Sequence, residues 1–433
     1  MEKSGILTSK ITEYITDYAE IEDWTFLKAN TQYLTHGIHP YPARMIPQVA
    51  RKLIDTYVVD NKDVCIDPYC GSGTVLVESK LKGITSIGID LNPLSILISK
   101  VKTTIINPDN LYEQVKKLIK NIEYDYTNKK VVDIPKIKNM EYWFKPEVSK
   151  ALSIIKENIE HIDNKDISDF LKVCFSLTVR IVSNTRNDEF KLFRIPDYKL
   201  KNYNPNVVAT FSTIVNTNMK LMNTFSKMVK KNSPKTFILK GDTRKLLDIN
   251  HNVLVEECAT LLVTSPPYGD SRTTVAYGQF SRYSAAWLGF DENEVWQVDN
   301  CILGEKKYTN FEDLESSTLD MIIDKISEVD IKRARDVYSF FKDMDLCFAQ
   351  ISKIMKKNKS HICFVLGNRT VKRVQIPSDI ILIELGKKYG FKHLTTKQRE
   401  IPNKHMPSEN APENIESIKG KTISKENIII WDY

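Results

Sequence analysis

The chain has 433 residues, and 62 basic against 55 acidic side chains give it a net charge of +7. Hydrophobic residues make up 42% and charged residues 27%, a composition typical of globular proteins and unlike that of fibrous or disordered chains. No segment approaches the ~18 consecutive apolar residues of a membrane span, and the first residues lack the apolar core of a signal peptide, so we expect a cytoplasmic protein without membrane contact.

Residues 1–106 predict an N-terminal arm followed by the first part of a catalytic domain. Apolar residues at helical spacing follow the turn-rich sequence HGIHPYPAR, and the run DVCID at 63–67 predicts a buried strand. A glycine-rich turn then leads into a helix that stops at Gly83, and a second strand ends at Asp90. Strand, turn, helix and strand in this order form a βαβ unit of a parallel sheet.

Residues 107–235 carry long amphipathic patterns and predict a helical insertion. Residues 236–433 predict the second part of the catalytic domain, with strands, an amphipathic helix, a helix closed by Gly390 and a final hairpin. Within it, residues 271–335 show few regular patterns and predict a variable loop region that includes a lid. The fold class expected from this order is α/β, with a doubly wound and mostly parallel sheet.

The turn after the first strand has the features of a nucleotide-type site. Gly71 and Gly73 let the backbone approach a ligand closely, and Asp90 follows Asp67 at about the ~20-residue spacing at which a carboxylate reaches ribose hydroxyls. Asp67 would repel a pyrophosphate but suits a cationic ammonium group. This favours S-adenosylmethionine over a dinucleotide, although the Gly-Ser-Gly tripeptide alone is equally consistent with a tight turn that binds no ligand.

The sequence TSPPY at 264–268 follows another apolar strand, so it lies at the same edge of the sheet as the glycine turn. Its two prolines fix the backbone and remove two N–H donors. Ser265 Oγ and the Pro266 carbonyl would accept both hydrogens of a nucleobase amine and stabilise the positive charge of methyl transfer, while Tyr268 offers a ring face to an unstacked base. In isolation, a rigid surface turn or a polyproline ligand would explain the same residues.

DPYCGSGT at 67–74, GID at 88–90, GD at 241–242 and TSPPY at 264–268 together resemble the DNA amino-methyltransferases. They are most similar to the Ser-Pro-Pro-Tyr type of restriction–modification systems, which methylates the N4 amine of cytosine. The resemblance implies a seven-stranded Rossmann-like sheet, S-adenosylmethionine as the donor, and direct in-line transfer to a flipped cytosine in a specific double-stranded DNA sequence. Adenine-directed relatives usually carry Asp or Asn in place of Ser265, which favours cytosine.

The resemblance also implies roles for individual residues. The target base is assigned to Ser265, Pro266, Pro267 and Tyr268. The methionine end of the cofactor is assigned to Asp67, Gly71 and Gly73, the ribose to Asp90 and the adenine ring to Asp242. Further expected cofactor neighbours are Tyr41, Pro42, Pro68, Cys70 and Thr74.

Contacts to DNA phosphates are predicted for a basic run in the insertion and one residue of the later loop, namely Arg180, Arg186, Lys191, Arg194 and Arg272. A solvated helix face explains the run nearly as well. The target-recognition region is expected at 107–235 or 290–335. No metal site is predicted, because the HxxH of His36 and His39 has no further ligands nearby and the seven cysteines form no CxxC pair.

The partners implied are double-stranded DNA and a separately encoded restriction endonuclease. Three other functions stay open at this point. One is adenine-N6 methylation of DNA, and the second is amino-methylation of RNA, since tRNA guanosine methyltransferases share a similar cofactor loop. The third is DNA binding by a protein whose cofactor site is inactive.

Overall fold

The computed structural model describes residues 23–187, 189–229, 233–250, 252–269, 275–401, 409–410, 420–421 and 423–433. The main strands are β1 (Val64–Asp67), β2 (Thr85–Asp90), β3 (Thr236–Lys240), β4 (Leu261–Thr264) and β5 (His361–Leu366). The later strands are β6 (Thr370–Val371), β7 (Val374–Gln375), β8 (Lys392–Glu400), β9 (Glu409–Asn410), β10 (Gly420–Lys421) and β11 (Lys425–Asp432).

Seven strands form one sheet in the order β3-β2-β1-β4-β5-β11-β8. The strands from β3 to β5 pair in parallel, whereas β11 runs antiparallel to both β5 and β8. The predicted doubly wound, mostly parallel α/β sheet is therefore confirmed. The chain builds outwards from β1 to β3 on one side and from β4 to β5 on the other, so the switch point lies between β1 and β4, where such sheets bind ligands at the carboxyl ends of their strands.

Three helices belong to the first βα units: α1 (Pro47–Tyr57), α2 (Thr74–Lys82) and α3 (Pro93–Thr103). Six further helices lie between α3 and β3: α4 (Pro108–Thr127), α5 (Met140–Trp143), α6 (Pro146–Glu160), α7 (Lys165–Val182), α8 (Asp197–Leu200) and α9 (Val207–Met228). After β4 come α10 (Tyr277–Trp287), α11 (Glu292–Cys301), α12 (Ser317–Ser327), α13 (Ile331–Ile354) and α14 (Ser378–Lys388). Among the described residues, no helix is long and apolar enough to cross a bilayer.

The central strands are buried on both faces. Neighbouring residues of β1 belong to different hydrophobic clusters, since Ile66 packs with α13 and Cys65 packs with α1. This alternation is expected of a parallel strand with helices on both sides. A third cluster packs α4, α6, α7 and α9 against α3 and α10, and it includes no residue of the seven sheet strands.

The structure differs from the prediction for residues 271–335, where α10, α11 and α12 occupy most of the described positions. The buried face of α10 includes Gly278, Ser281 and Ser284, so aliphatic periodicity is too weak to indicate a helix there. Trp287 in this helix is fully buried and belongs to the core.

Candidate active site

A cleft of about 870 Å³ lies at the carboxyl ends of β1, β2 and β4. Residues predicted from separate parts of the sequence line it together: Tyr41, Pro42, Asp67, Pro68, Cys70, Gly71, Thr74, Asp90, Asp242, Ser265 and Pro267. Of the other predicted site residues, Gly73 precedes α2, Pro266 is buried, and Tyr268 lies beside Ser265. The cleft thus joins the glycine turn to the TSPPY segment.

The glycine turn is held in place by Asp90 and α3. Gly71 and Gly73 have φ values of +48° and +81°, and a Cβ on Gly73 would lie 3.0 Å from Ser99 Oγ. The Gly71 N–H donates to Asp90 Oδ2 at 2.9 Å, and the Ser99 hydroxyl donates to the Gly71 carbonyl at 2.7 Å. Asp90 Oδ1 accepts from the Asn92 N–H at 2.8 Å. A carboxylate has about four acceptor sites, so Asp90 can still accept from a ligand.

Asp67 is only 4% exposed and lies at the end of β1. Its Oδ1 accepts from the Thr264 hydroxyl at 2.6 Å and from the Tyr69 N–H at 3.1 Å. Burial raises the pKa of Asp67 to about 7, and the negative charge of Asp90 acts in the same direction. Two carboxylates in one cleft favour a cationic ligand, because a positive charge offsets both the burial and their mutual repulsion.

Two hydroxyls in the cleft wall lack a partner. Ser72 and Thr74 are 2% and 5% exposed, and their hydroxyl oxygens make no hydrogen bond to any described residue. Both residues line the cleft. Buried hydroxyls are normally hydrogen-bonded, so these two fit a polar ligand that satisfies them. Together with Asp67 and Asp90, they fit S-adenosylmethionine, which combines positive charge with ribose hydroxyls.

One wall of the cleft combines the predicted Tyr41 with residues that were not predicted from the sequence. The rings of Tyr41 and Tyr277 stack with centroids 5.9 Å apart, and Asn92 Nδ2 donates to the Tyr41 hydroxyl at 3.2 Å. Apolar contacts come from Val298 and Ile302 near the end of α11. Tyr277 and Val298 lie in helices that the sequence pattern failed to indicate, Ile302 directly follows the second of them, and no motif marks any of the three.

The segment before Tyr41 is anchored by the carboxylate of Glu78, whose side chain is 1% exposed. His36 Nε2 lies 2.6 Å from Glu78 Oε1, and Arg51 Nε donates to Oε2 at 2.9 Å. The second histidine of the HxxH pair, His39, lies with Nε2 3.0 Å from Ser176 Oγ. Both imidazoles therefore contact protein groups that fix the turn against α2 and α7.

Asp242 enters the cleft as part of a charge network. Its Oδ2 accepts from Arg244 Nη2 at 2.7 Å, and its Oδ1 accepts from Arg244 Nε at 2.9 Å. Arg244 Nη1 also donates to the fully buried Asp343 at 2.9 Å. A ligand that approaches Asp242 therefore meets a carboxylate that is already paired.

The TSPPY segment follows β4 directly, and its serine faces the cleft. Ser265 Oγ lies 3.3 Å from the Tyr268 hydroxyl, which donates to Glu426 Oε1 at 2.7 Å. Burial raises the pKa of Tyr268 well above its usual value, and the charge of Glu426 adds to this, so the side chain stays a phenol. Glu426 was not predicted as a site residue, because it lies more than 150 positions further along the chain, in a strand pattern that matches no known motif.

The prediction that Arg180 contacts DNA is wrong. Arg180 is 8% exposed, its guanidinium carbon lies 4.2 Å from the centroid of the Phe280 ring, and it donates to the Glu189 carbonyl. It lies in the last turn of α7 on the face that packs inwards, and burial lowers its pKa to about 10. A side chain enclosed in this way cannot reach a phosphate.

The other predicted DNA contacts lie nearer the surface. Arg186 forms an exposed ion pair with Glu189 at 2.9 Å, and Arg194 pairs with Asp197. Lys191 is half-buried in the same segment, whereas Arg272 lies outside the described residues.

Comparison with known proteins identifies the family. Residues 9–100 match the family model N6_N4_Mtase, described as DNA methylase. The chain is 40% identical over 448 residues to the type II methyltransferase M.MvaI of Kocuria varians, which covers 99% of this chain and 97% of that protein. It is 30% identical over 200 residues to the type II methyltransferase M.MjaII of Methanocaldococcus jannaschii, which covers 44% of this chain and 36% of that protein.

The chain is also similar to a tRNA (guanine(10)-N2)-dimethyltransferase of Methanocaldococcus jannaschii. This match is shorter, with 32% identity over 81 residues, and covers 19% of this chain and 22% of that protein. The full-length match decides between these relatives, because it includes both the glycine turn and the TSPPY segment. This chain belongs to the N6/N4 amino-methyltransferase family of type II DNA methyltransferases, and its methyl donor is S-adenosylmethionine.

Proposed function

We propose that this DNA methyltransferase modifies the N4 amine of cytosine, flipped out of a specific double-stranded sequence. The observation that carries the proposal is Ser265, a neutral hydroxyl that lines the cofactor cleft at the end of β4. Its oxygen can accept a hydrogen bond from an exocyclic amine without placing another negative charge beside Asp67 and Asp90. The resemblance to the Ser-Pro-Pro-Tyr type points to the same base.

The protein has to activate the exocyclic amine of the target base, which is a weak nucleophile. The lone pair of an exocyclic amine is delocalised into the ring, and acceptors for both N–H groups favour the pyramidal nitrogen that can attack. Ser265 Oγ and the Pro266 carbonyl are the acceptors that we assign, and Tyr268 packs against the extruded base. S-Adenosylmethionine supplies a methyl group on a positively charged sulfur. The protein needs no covalent nucleophile for this transfer.

Each cofactor residue is assigned to the part of S-adenosylmethionine that suits its chemistry. Asp67 is the partner of the ammonium group, Asp90 binds the ribose hydroxyls, and the backbone at Gly71 and Gly73 lies against the methionine portion. Tyr41 and Tyr277 form an aromatic wall. The remaining cofactor contacts that we assign are Pro42, Pro68, Cys70, Thr74 and, at the adenine ring, Asp242.

DNA binding is assigned to the segment that follows α7. Arg180 in the last turn of α7 packs on Phe280 of α10, the helix whose Tyr277 lines the cleft, so α7 ends near the cleft. A groove of about 1,180 Å³ begins there, lined by Arg186, Tyr198 and Lys199 among others. Exposed cations and aromatic rings suit phosphates and sugars. We assign Arg186, Lys191 and Arg194 to this contact, and a separately encoded restriction endonuclease as the biological partner.

Product analysis tests the proposal. Purified protein is incubated with isotope-labelled S-adenosylmethionine and, in separate reactions, with unmethylated bacterial DNA or tRNA, and the nucleosides are identified by mass spectrometry. Label in N4-methylcytosine supports the proposal. Label in N6-methyladenine contradicts the base assignment, and label in tRNA alone contradicts DNA as the substrate.

Two variants link the product to the site. Ser265→Ala should lose transfer by about 10²- to 10³-fold while its affinity for S-adenosylmethionine is unchanged, since it removes one preorganised contact to the reacting group. The matched control is Ser352→Ala, which removes a hydroxyl that bonds to the Ala349 carbonyl within α13. Full activity of Ser265→Ala would contradict the role of that serine.

A further inference from the structure

A row of hydrogen bonds leads from the cleft to the last two strands of the sheet. It begins with the contact of 3.3 Å between Ser265 Oγ and the Tyr268 hydroxyl, and continues with the bond of 2.7 Å from Tyr268 to Glu426 Oε1. Glu426 Oε2 accepts from Arg399 Nη1, and these two residues face each other in the register of β11 and β8. Arg399 Nε is fixed by the Trp24 carbonyl at 3.1 Å.

The far end of the row is shielded from solvent. The side chains of Arg399 and Glu426 are 5% and 16% exposed. Both carboxylate oxygens of Glu426 face donors, since Tyr268 donates its hydroxyl hydrogen to Oε1 and the Arg399 guanidinium, which can only donate, lies at Oε2. An ionised carboxylate can only accept hydrogen bonds.

The direction of every hydrogen in the row follows from that carboxylate. Tyr268 has one hydrogen and donates it to Glu426, so its oxygen is left as an acceptor. The hydroxyl of Ser265 can then donate its own single hydrogen to Tyr268. Both lone pairs of Ser265 Oγ are thereby left for the cleft, where an amine offers N–H donors.

We propose that Glu426 is a positioning residue that keeps Ser265 an acceptor and finally receives the proton that the methylated amine loses. The proposal rests on the proposed function insofar as it needs an exocyclic amine in front of Ser265. After transfer, the nitrogen carries a positive charge and one surplus proton. The N–H bond breaks as Ser265 Oγ takes that proton, Ser265 passes its original hydrogen to Tyr268, and Tyr268 passes its own to Glu426. The amine and both hydroxyls end neutral, and the carboxylate ends as a carboxylic acid.

Glu426→Gln and Tyr268→Phe interrupt the row at two places. The phenylalanine keeps the ring, and the glutamine keeps the size of the side chain but cannot take up the proton. The control is Glu400→Gln in β8, which removes an exposed carboxylate that pairs with Lys425 at 3.1 Å in the same hairpin. The DNA substrate is a short unmethylated duplex. It contains the sequence in which the wild-type protein places its methyl group, as mapped on the wild-type product.

The kinetic readout is a double-mutant cycle. Each single variant should lower kcat by about 100-fold, at the lower end of what proton transfer contributes, with little change in the KM for S-adenosylmethionine. The kcat of the double variant should lie within about 3-fold of that of the less active single variant, because both substitutions interrupt the same row of hydrogen bonds. Glu400→Gln should retain wild-type kcat. Independent effects that multiply to about 10⁴-fold, or full activity of Glu426→Gln, would overturn the proposal.

Equilibrium binding gives a second readout that needs no turnover. Wild-type protein should prefer a duplex with cytosine at the target over one with uracil, whose O4 accepts where cytosine donates. In Tyr268→Phe the Ser265 hydroxyl loses its acceptor, so its hydrogen can point into the cleft and donate to uracil O4. The preference for cytosine over uracil should therefore fall about 10-fold, which is the cost of mispairing one buried hydrogen bond. An unchanged preference would overturn the assigned direction of the row. If wild-type protein labels adenine instead, the base assignment fails, but the kinetic cycle still tests the row on that amine.

Discussion

Replacing Asp67 by asparagine should make the empty protein more stable and its cofactor binding weaker. Asparagine keeps an acceptor for the Thr264 hydroxyl and the Tyr69 N–H, but it removes the negative charge of a residue that is only 4% exposed. A pKa raised from 3.8 to about 7 means that keeping this carboxylate ionised in the folded protein costs about 4 kcal/mol. That cost is absent in the variant, so its free energy of unfolding should exceed that of the wild type by up to this amount.

The pH dependence has a definite sign. The folded pKa lies above the unfolded value, so ionisation opposes folding and the wild type loses stability as the pH rises from about 4 to about 7. The advantage of Asp67→Asn should therefore grow over this range and level off above it. Urea unfolding without cofactor at a series of pH values measures it. Equal or lower stability of the variant at pH 8 would refute a buried carboxylate with a raised pKa.

Cofactor affinity should change in the opposite direction. A contact between Asp67 and an ammonium group, at about 1.5–3 kcal/mol for a charged hydrogen bond, corresponds to a 10- to 100-fold weaker binding in Asp67→Asn. Wild-type affinity should fall as the pH drops below about 7 and the carboxylate becomes protonated, whereas that of the variant should stay level. Isothermal titration calorimetry measures both. Unchanged affinity of the variant would show that Asp67 does not meet the cation.

Gly73→Ala should destabilise the fold by about 1–2 kcal/mol in urea unfolding, because alanine is strained at a φ of +81° and its Cβ would lie 3.0 Å from Ser99 Oγ; wild-type stability would contradict this. Glu78→Gln should cost about 1.5–3 kcal/mol by the same measurement, since the buried carboxylate contacts Tyr33, His36 and Arg51 and an amide offers an acceptor oxygen on one side only; a loss below 1 kcal/mol would mean that these contacts contribute little. Arg186→Ala should weaken DNA binding and lower its salt dependence by about one counterion without affecting S-adenosylmethionine, which fluorescence anisotropy at several salt concentrations measures; an unchanged slope would place the DNA elsewhere.

The parts of the structure that the sequence predicted are those with strong local signals. The strand that ends at Asp67, the glycine turn and the strand that ends at Asp90 combine apolar runs with residues of special backbone conformation, and the sheet has the predicted class. TSPPY follows a buried strand, so its position at the edge of the cleft also followed from the pattern.

What the sequence missed depends on tertiary packing. Tyr277 and Val298 reach the cleft from helices with weak aliphatic periodicity. Arg180 looked like a surface cation in a polar run, but the fold turns it inwards onto Phe280. Glu426 meets Tyr268 only because β11 pairs beside β5 in the finished sheet. None of these positions carries a local pattern that distinguishes it.

We propose that one cleft brings the methyl donor and the amine of a flipped cytosine together at Ser265. A crystal structure of the protein with S-adenosylhomocysteine and a duplex that carries the mapped site tests it most directly. We expect the target cytosine outside the helix, with its N4 within hydrogen-bonding distance of Ser265 Oγ and the Pro266 carbonyl. A target base that is bound elsewhere, or an adenine in that position, would contradict the account.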